Sequence, residues 1–198
     1  MQVLDAVPMA ETAESATPRA KSLSPHERLI ALGATAVGPA DEFASDIHAL
    51  IQRTPLFESL DVAQARRLSS FMSVYEIGAG VTIIREGETG DFMLLLMQGM
   101  VDVLRRNRFN YPARIAVAHA GQAVGEMSMF DGEPRFASCV TLEPCRIAVL
   151  DRQALQRLLD EDAALSNRIL LRLVQLLSER LRHTSARLVS YLEAAQDV

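Results

Sequence analysis

Short β-like runs separated by glycines fill the middle of this chain, and they restrict its fold more than any other feature. Val74–Ile77, Val81–Arg85, Phe92–Met97, Met100–Arg105, Ile115–Ala118 and Arg146–Leu150 are rich in β-branched and apolar residues. Gly78, Gly80, Gly87, Gly90, Gly99 and Gly121 fall between them. Short strands with regular glycine turns point to a small antiparallel barrel or sandwich. The polar hexapeptide Glu86-Gly87-Glu88-Thr89-Gly90-Asp91 reads as a tight turn in which glycine supplies positive φ.

The flanks have a different period. Residues 1–40, biased toward Ala, Thr, Ser and Pro, read as a disordered or partly helical tail, with a helix at Ser24–Leu32 capped by Ser24. In residues 41–72, Phe43, Ile47, Leu50 and Ile51 share one helical face. Thr54-Pro55 breaks that helix, and Asp61 caps a second over Asp61–Phe71. The segment 73–150 holds the strands. Residues 151–196 are helical: Asp151 caps a first stretch, and a long helix without Gly or Pro runs over Ala163–Ala194. Within it Val174, Leu177, Leu181, Thr184, Leu188 and Tyr191 step by three and four, a heptad seam with one polar member suited to pairing two copies. Helices at both ends of an antiparallel sheet make the expected class α+β.

Composition removes several function classes. At 198 residues, 49% of them apolar, the chain can bury a proper core. A net charge of −5 argues against a general nucleic-acid or membrane-surface binder. The N-terminus lacks the basic start of a signal peptide, and the most apolar runs are too short or too charged to span a bilayer. Cys139 and Cys145 have no CxxC or zinc spacing and read as buried thiols, which makes cytoplasmic chemistry the expectation. No phosphate-binding loop, metal motif, nucleophile elbow or cluster for haem or iron–sulfur is present, so the chain is not expected to be an enzyme or to hold a metal.

The densest chemistry lies in Gly125-Glu126-Met127-Ser128-Met129-Phe130-Asp131-Gly132-Glu133-Pro134-Arg135-Phe136-Ala137-Ser138. One short turn here carries a carboxylate and a guanidinium among small residues. An Arg fork matches a phosphate, a Glu accepts from sugar hydroxyls, and small neighbours let backbone N–H groups approach a ligand. The pattern suits a small sugar phosphate.

That block resembles the phosphate-binding cassette of the cyclic nucleotide-binding domain, the sensor module of catabolite activators and cyclic-nucleotide-dependent kinases. The resemblance covers about residues 54–192. Gly78-Ala79-Gly80, Ile83 and the Glu86–Asp91 turn form its first block, Gln98–Val103 its second and the cassette its third. It implies an antiparallel β-roll of jelly-roll type, a double-stranded β-helix. It also implies that Glu126 accepts from the ribose 2′-hydroxyl and Arg135 holds the cyclic phosphate. By the same resemblance the backbone around Gly125, Phe136 and Ala137 is expected to supply further donors, with Met127 and Ser128 completing the set. Arg180–Ser185 is similar to the helix of bacterial catabolite activators, which implies that Thr184 and Ser185 reach an adenine across a dimer. Phe136 departs from the family's small residue after the arginine. It lacks the hydroxyl associated with guanine.

The functional expectation is a stand-alone cAMP sensor, since no helix-turn-helix pattern precedes Val198. It acts as a homodimer through the 163–194 helix and signals through an effector protein. cGMP is a further possible ligand. Alternatives are a cyclic di-GMP sensor, with Arg105, Arg106, Arg108 and Arg114 facing a second phosphate, and a ligand-free dimeric scaffold.

Overall fold

A computed structural model describes residues 23–51 and 54–196. Two antiparallel sheets form its centre. Strands β1 (Thr35–Pro39), β2 (Ser73–Ile77), β9 (Cys145–Asp151), β4 (Phe92–Gln98) and β7 (Ala123–Val124) make the first, in that spatial order. Strands β3 (Thr82–Ile84), β8 (Ser138–Thr141), β5 (Met100–Arg106) and β6 (Pro112–His119) make the second. Helices α1 (Pro25–Ala31), α2 (Ala44–Ile51) and α3 (Val62–Ser69) precede or join the early strands. Helix α4 (Glu126–Asp131) interrupts the roll, and α5 (Arg152–Glu161) and α6 (Ala163–Gln196) follow it. This is the α+β β-roll that the strand pattern and the resemblance led us to expect.

Strand β4 shows how the core is layered. Phe92, Leu94 and Leu96 pack between the sheets with Tyr75, Ile84, Val101 and Ile147. Met93, Leu95 and Met97 point the other way, into a cluster with Ile47, Phe57, Leu68, Leu158 and Ile169 from the helices. A strand covered on both faces needs apolar residues at every position, which explains its unbroken run. Helix α6 joins this core through Leu165, Ile169 and Leu173, whereas Val174, Leu177, Leu181 and Leu188 are exposed. The side chain of Tyr191, the last seam member, lies outside the described residues. No helix among the described residues is long and apolar enough to cross a membrane.

Three helix starts follow from side-chain chemistry. Ser24 and Glu27 form a capping box at α1, Asp61 and Gln64 another at α3, and Asp151 accepts from the Ala154 N–H at α5. Each such cap contributes about 1 kcal/mol.

Several expectations need correction. Residues 23–40 contain the expected Ser24-capped helix, α1, but the rest of the stretch is ordered too and is not a tail. Leu29 of α1 is buried in the inter-sheet core, and β1 pairs antiparallel with β2. The burial that orders them comes from a sheet edge distant in sequence, so composition alone misreads them. Residues 1–22 lie outside the described residues. The helix read from Asp41 begins as a 3-10 turn over Ala40–Phe43, and β7 and β8 are strands too short to stand out by pattern.

Cys139 and Cys145 are free and buried. Burial pushes the Cys139 thiol from 9.0 up to about 12, although Arg135 pulls the other way. A raised folded value favours the protonated thiol. Its contribution to stability is full below pH 9 and is lost as the pH climbs toward 12. At pH 8 neither thiol is expected to react with a disulfide-exchange reagent until the protein is denatured. Equal rates in native and denatured protein would contradict that burial.

Candidate functional site

Gly125 ends β7 and begins α4 with φ +83°. A Cβ there would sit 2.7 Å from Arg135 Nη1 and 2.8 Å from Ile84 Cδ1. Glycine alone satisfies both the left-handed backbone and the close approach. Glu126 follows as the first helical residue and is buried, with its carboxylate at the positive end of the helix. Helix α4 stops at Gly132, so Glu126 and Arg135 do not share one turn as expected: a helix and a loop separate them.

Arg135 is nonetheless folded back to the start of α4. Its backbone is clamped to the Glu86–Asp91 turn: the Gly87 N–H donates to the Arg135 carbonyl at 2.9 Å, and the Arg135 N–H to the Glu88 carbonyl at 2.8 Å. Its side chain is 4% exposed. Nη1 donates to the Gly125 carbonyl and Nη2 to the Phe92 carbonyl, both at 2.7 Å. The guanidinium lies 4.6 Å from the Phe92 ring centroid. A Cβ on Gly90 would come within 2.5 Å of Arg135 Cζ and 2.7 Å of Ser128 Cβ, so this turn needs glycine to admit the side chain. Burial lowers the guanidinium's pKa from its ordinary value. Asp91 offsets that, the Arg28 charge adds to it, and Glu126 opposes it.

The charge of Arg135 is met directly by carbonyl oxygens: among the described residues no carboxylate lies in ion-pair contact with it. A buried cation so placed is poorly compensated and suits an incoming anion. The first N–H groups of α4 and those of Phe136 and Ala137 lie in the same cassette.

The structure thus groups Gly125, Glu126, Ser128, Arg135 and Ala137, all buried or half-buried. It leaves Met127 exposed, and Phe136 is 46% exposed beneath the Arg105 guanidinium, 3.7 Å from its ring centroid. Thr184 and Ser185 are exposed on α6. Arg105, Arg106, Arg108 and Arg114 each have a local partner: Phe136, Asn110, Phe109 and Asp102. No cluster of three metal-ligating side chains occurs among the described residues.

Four residues outside the expected site set also support it. Phe92 supplies a carbonyl and a ring to Arg135. Asp91 lies close enough to support its charge. Arg152 of α5 donates to the Ser128 carbonyl at 2.9 Å and to the Gly90 carbonyl at 3.3 Å, tying α4 to the turn. Arg28 of α1 pairs with Asp91. Asp91 stood inside a quoted motif. The rest act through contacts that only folding creates.

Comparison with known proteins places this geometry. A family model described as the cyclic nucleotide-binding domain matches residues 75–162. A cAMP-dependent protein kinase regulatory subunit of Blastocladiella emersonii is 27% identical over 150 residues, 76% of this chain and 37% of that protein. A CRP-like cAMP-activated global transcriptional regulator of Mycobacterium tuberculosis is 25% identical over 143 residues, 72% of this chain and 62% of that protein. This chain therefore spans less than two thirds of either relative. A crystal structure of a cyclic nucleotide-binding domain from Methylobacillus flagellatus superposes with a TM-score of 0.70 at 36% identity, covering 79% of this chain and 88% of that one.

Proposed function

The chain belongs to the cyclic nucleotide-binding domain family, and from that premise we propose that it is a non-catalytic cAMP sensor. One observation carries the reading. Arg135 is buried, is held by two carbonyls and a phenyl ring, and meets no carboxylate directly among the described residues. A guanidinium kept for structure alone gains more from a paired carboxylate. A cyclic phosphate restores the balance: its exocyclic oxygens accept from Arg135 and from backbone N–H groups of the cassette, while the ribose 2′-hydroxyl donates to Glu126.

The base lies toward Phe136. That side chain offers a face for stacking and no hydroxyl for a guanine edge, which favours adenine. Both curated relatives named above are cAMP proteins by name. In a dimer built on the exposed α6 seam of Val174, Leu177, Leu181 and Leu188, Thr184 and Ser185 add polar contacts to the adenine. Binding shifts the packing of α6 by as much as the ligand's affinity differs between two arrangements, and an effector protein reads that shift.

Calorimetric titration with cAMP, cGMP and cyclic di-GMP, beside sedimentation velocity, tests this. We expect saturable binding of one cAMP per protomer, tighter than either competitor, and a dimeric species. No heat with any of the three would sink the sensor reading. A tighter fit for cyclic di-GMP would transfer the site to that ligand, and a monomer in both states would remove the α6 dimer.

A further inference from the structure

The N-terminal helix α1 lies outside the matched family segment, yet it brings a second guanidinium to the cassette. The Ser24 capping box fixes its start. Leu29, 1% exposed, anchors it in the inter-sheet core, and His26 Nδ1 lies 2.8 Å from the Tyr75 hydroxyl. These contacts set Arg28 over the Glu88–Asp91 turn. There it pairs with the Asp91 carboxylate and lies 5.5 Å from the Phe92 ring, the same ring that Arg135 faces.

Arg28 and Arg135 line one cavity of about 230 Å³, together with Leu29, Ile84 and Phe92. Two features of that wall call for an acceptor. The Arg28 Nε is buried and has no hydrogen-bond partner among the described residues. The two guanidiniums also lie close enough for the Arg28 charge to weigh on Arg135, and among the described residues the one carboxylate paired with Arg28 is that of Asp91. A guanidinium can serve a carboxylate and a phosphate together, because its five donors form a planar fork.

We propose that Arg28 is a second phosphate-recognising residue, delivered by α1 to the cavity wall beside Arg135, where it contacts the anionic group of the bound nucleotide while keeping Asp91. The inference rests on the cyclic-nucleotide reading above and extends it: affinity for the phosphate depends on a helix that precedes the β-roll. Ordering of α1 and binding of ligand are thereby coupled, since each supplies part of the other's contacts.

Titration of cAMP into the whole chain and three variants tests this, with thermal melts to establish folding. Arg28→Gln is expected to bind about tenfold more weakly, the loss typical of one charge-assisted contact. Arg28→Lys, which keeps the charge, recovers most of that loss. Asp91→Asn breaks the same ion pair from the other side and removes a negative charge near the phosphate, so it binds at least as tightly as the unmutated protein. The opposite signs matter, because a role limited to shaping the turn makes Arg28→Gln and Asp91→Asn lose affinity alike. Such parallel losses, unchanged affinity in Arg28→Gln, or tighter binding by it would each overturn the proposal. Should Arg28→Gln fail to fold, weaker binding by Asp91→Asn is enough to overturn it. Failure of the unmutated chain to bind any cyclic nucleotide removes the sensor reading and this inference together. Binding that ignores Arg28 removes the inference alone.

Discussion

Arg135→Ala is expected to weaken cAMP binding at least tenfold and to approach a hundredfold loss. Losing the guanidinium from a phosphate contact costs about 1.5–3 kcal/mol, and about 1.4 kcal/mol is a factor of ten. The same change removes the donors that satisfy the Gly125 and Phe92 carbonyls and empties the space over the Phe92 ring. Stability therefore falls as well, by about 1–3 kcal/mol. Calorimetry beside urea denaturation separates the two effects, because affinity is measured at temperatures where the variant remains folded. Arg135→Lys should sit closer to alanine than to the unmutated protein: an ammonium cannot hold two carbonyls and a phosphate with one planar fork. Affinity within a factor of about two of the unmutated chain in Arg135→Ala would mean that the phosphate is held elsewhere.

Gly125→Ala is the second large effect, and here backbone and packing act together. At φ +83° a side chain meets left-handed strain of about 1–2 kcal/mol. Its Cβ would also lie 2.7 Å from Arg135 Nη1 and 2.8 Å from Ile84 Cδ1, an overpacking that costs about 1–3 kcal/mol more. Together these are a large part of the roughly 5–15 kcal/mol that stabilises a domain, and they lower the melting temperature by about 5–15 °C. The guanidinium must yield its place, so binding falls along with stability. Gly90→Ala presses on the same guanidinium from the opposite side, within 2.5 Å of Cζ, without a positive φ. It should share the loss of affinity and show a smaller drop in melting temperature. Equal melting temperatures for Gly125→Ala and the unmutated chain would contradict the left-handed start of α4.

The cassette was legible in the sequence because its chemistry is local. Glu126, Arg135 and the flanking Gly125 and Gly132 stand out by residue type and spacing, and the Glu86–Asp91 turn announces itself by Gly87 and Gly90. Helix starts were legible for the same reason: Ser24, Asp61 and Asp151 each reach an N–H three residues on. Strand β1 was hidden, since Thr35–Pro39 owes its order to β2 and its bulged register to Gly38. So was α4, whose six residues lie between two left-handed glycines that could equally have framed a loop.

The order of short strands and glycines, by itself, pointed to a small antiparallel barrel or sandwich with helices at its ends, because turn chemistry and side-chain alternation act between neighbours in the chain; the family resemblance narrowed this to a β-roll. The sequence also singled out Glu126 and Arg135, the two charged residues on which the proposed site is built. Only the tertiary structure decided how Arg135 is aimed. Its two carbonyl acceptors lie 10 and 43 residues away. The second guanidinium over the same ring, Arg28, is separated from its Asp91 partner by 63 residues. No local pattern encodes such a meeting; it follows from Leu29 being buried between sheets assembled from the rest of the chain.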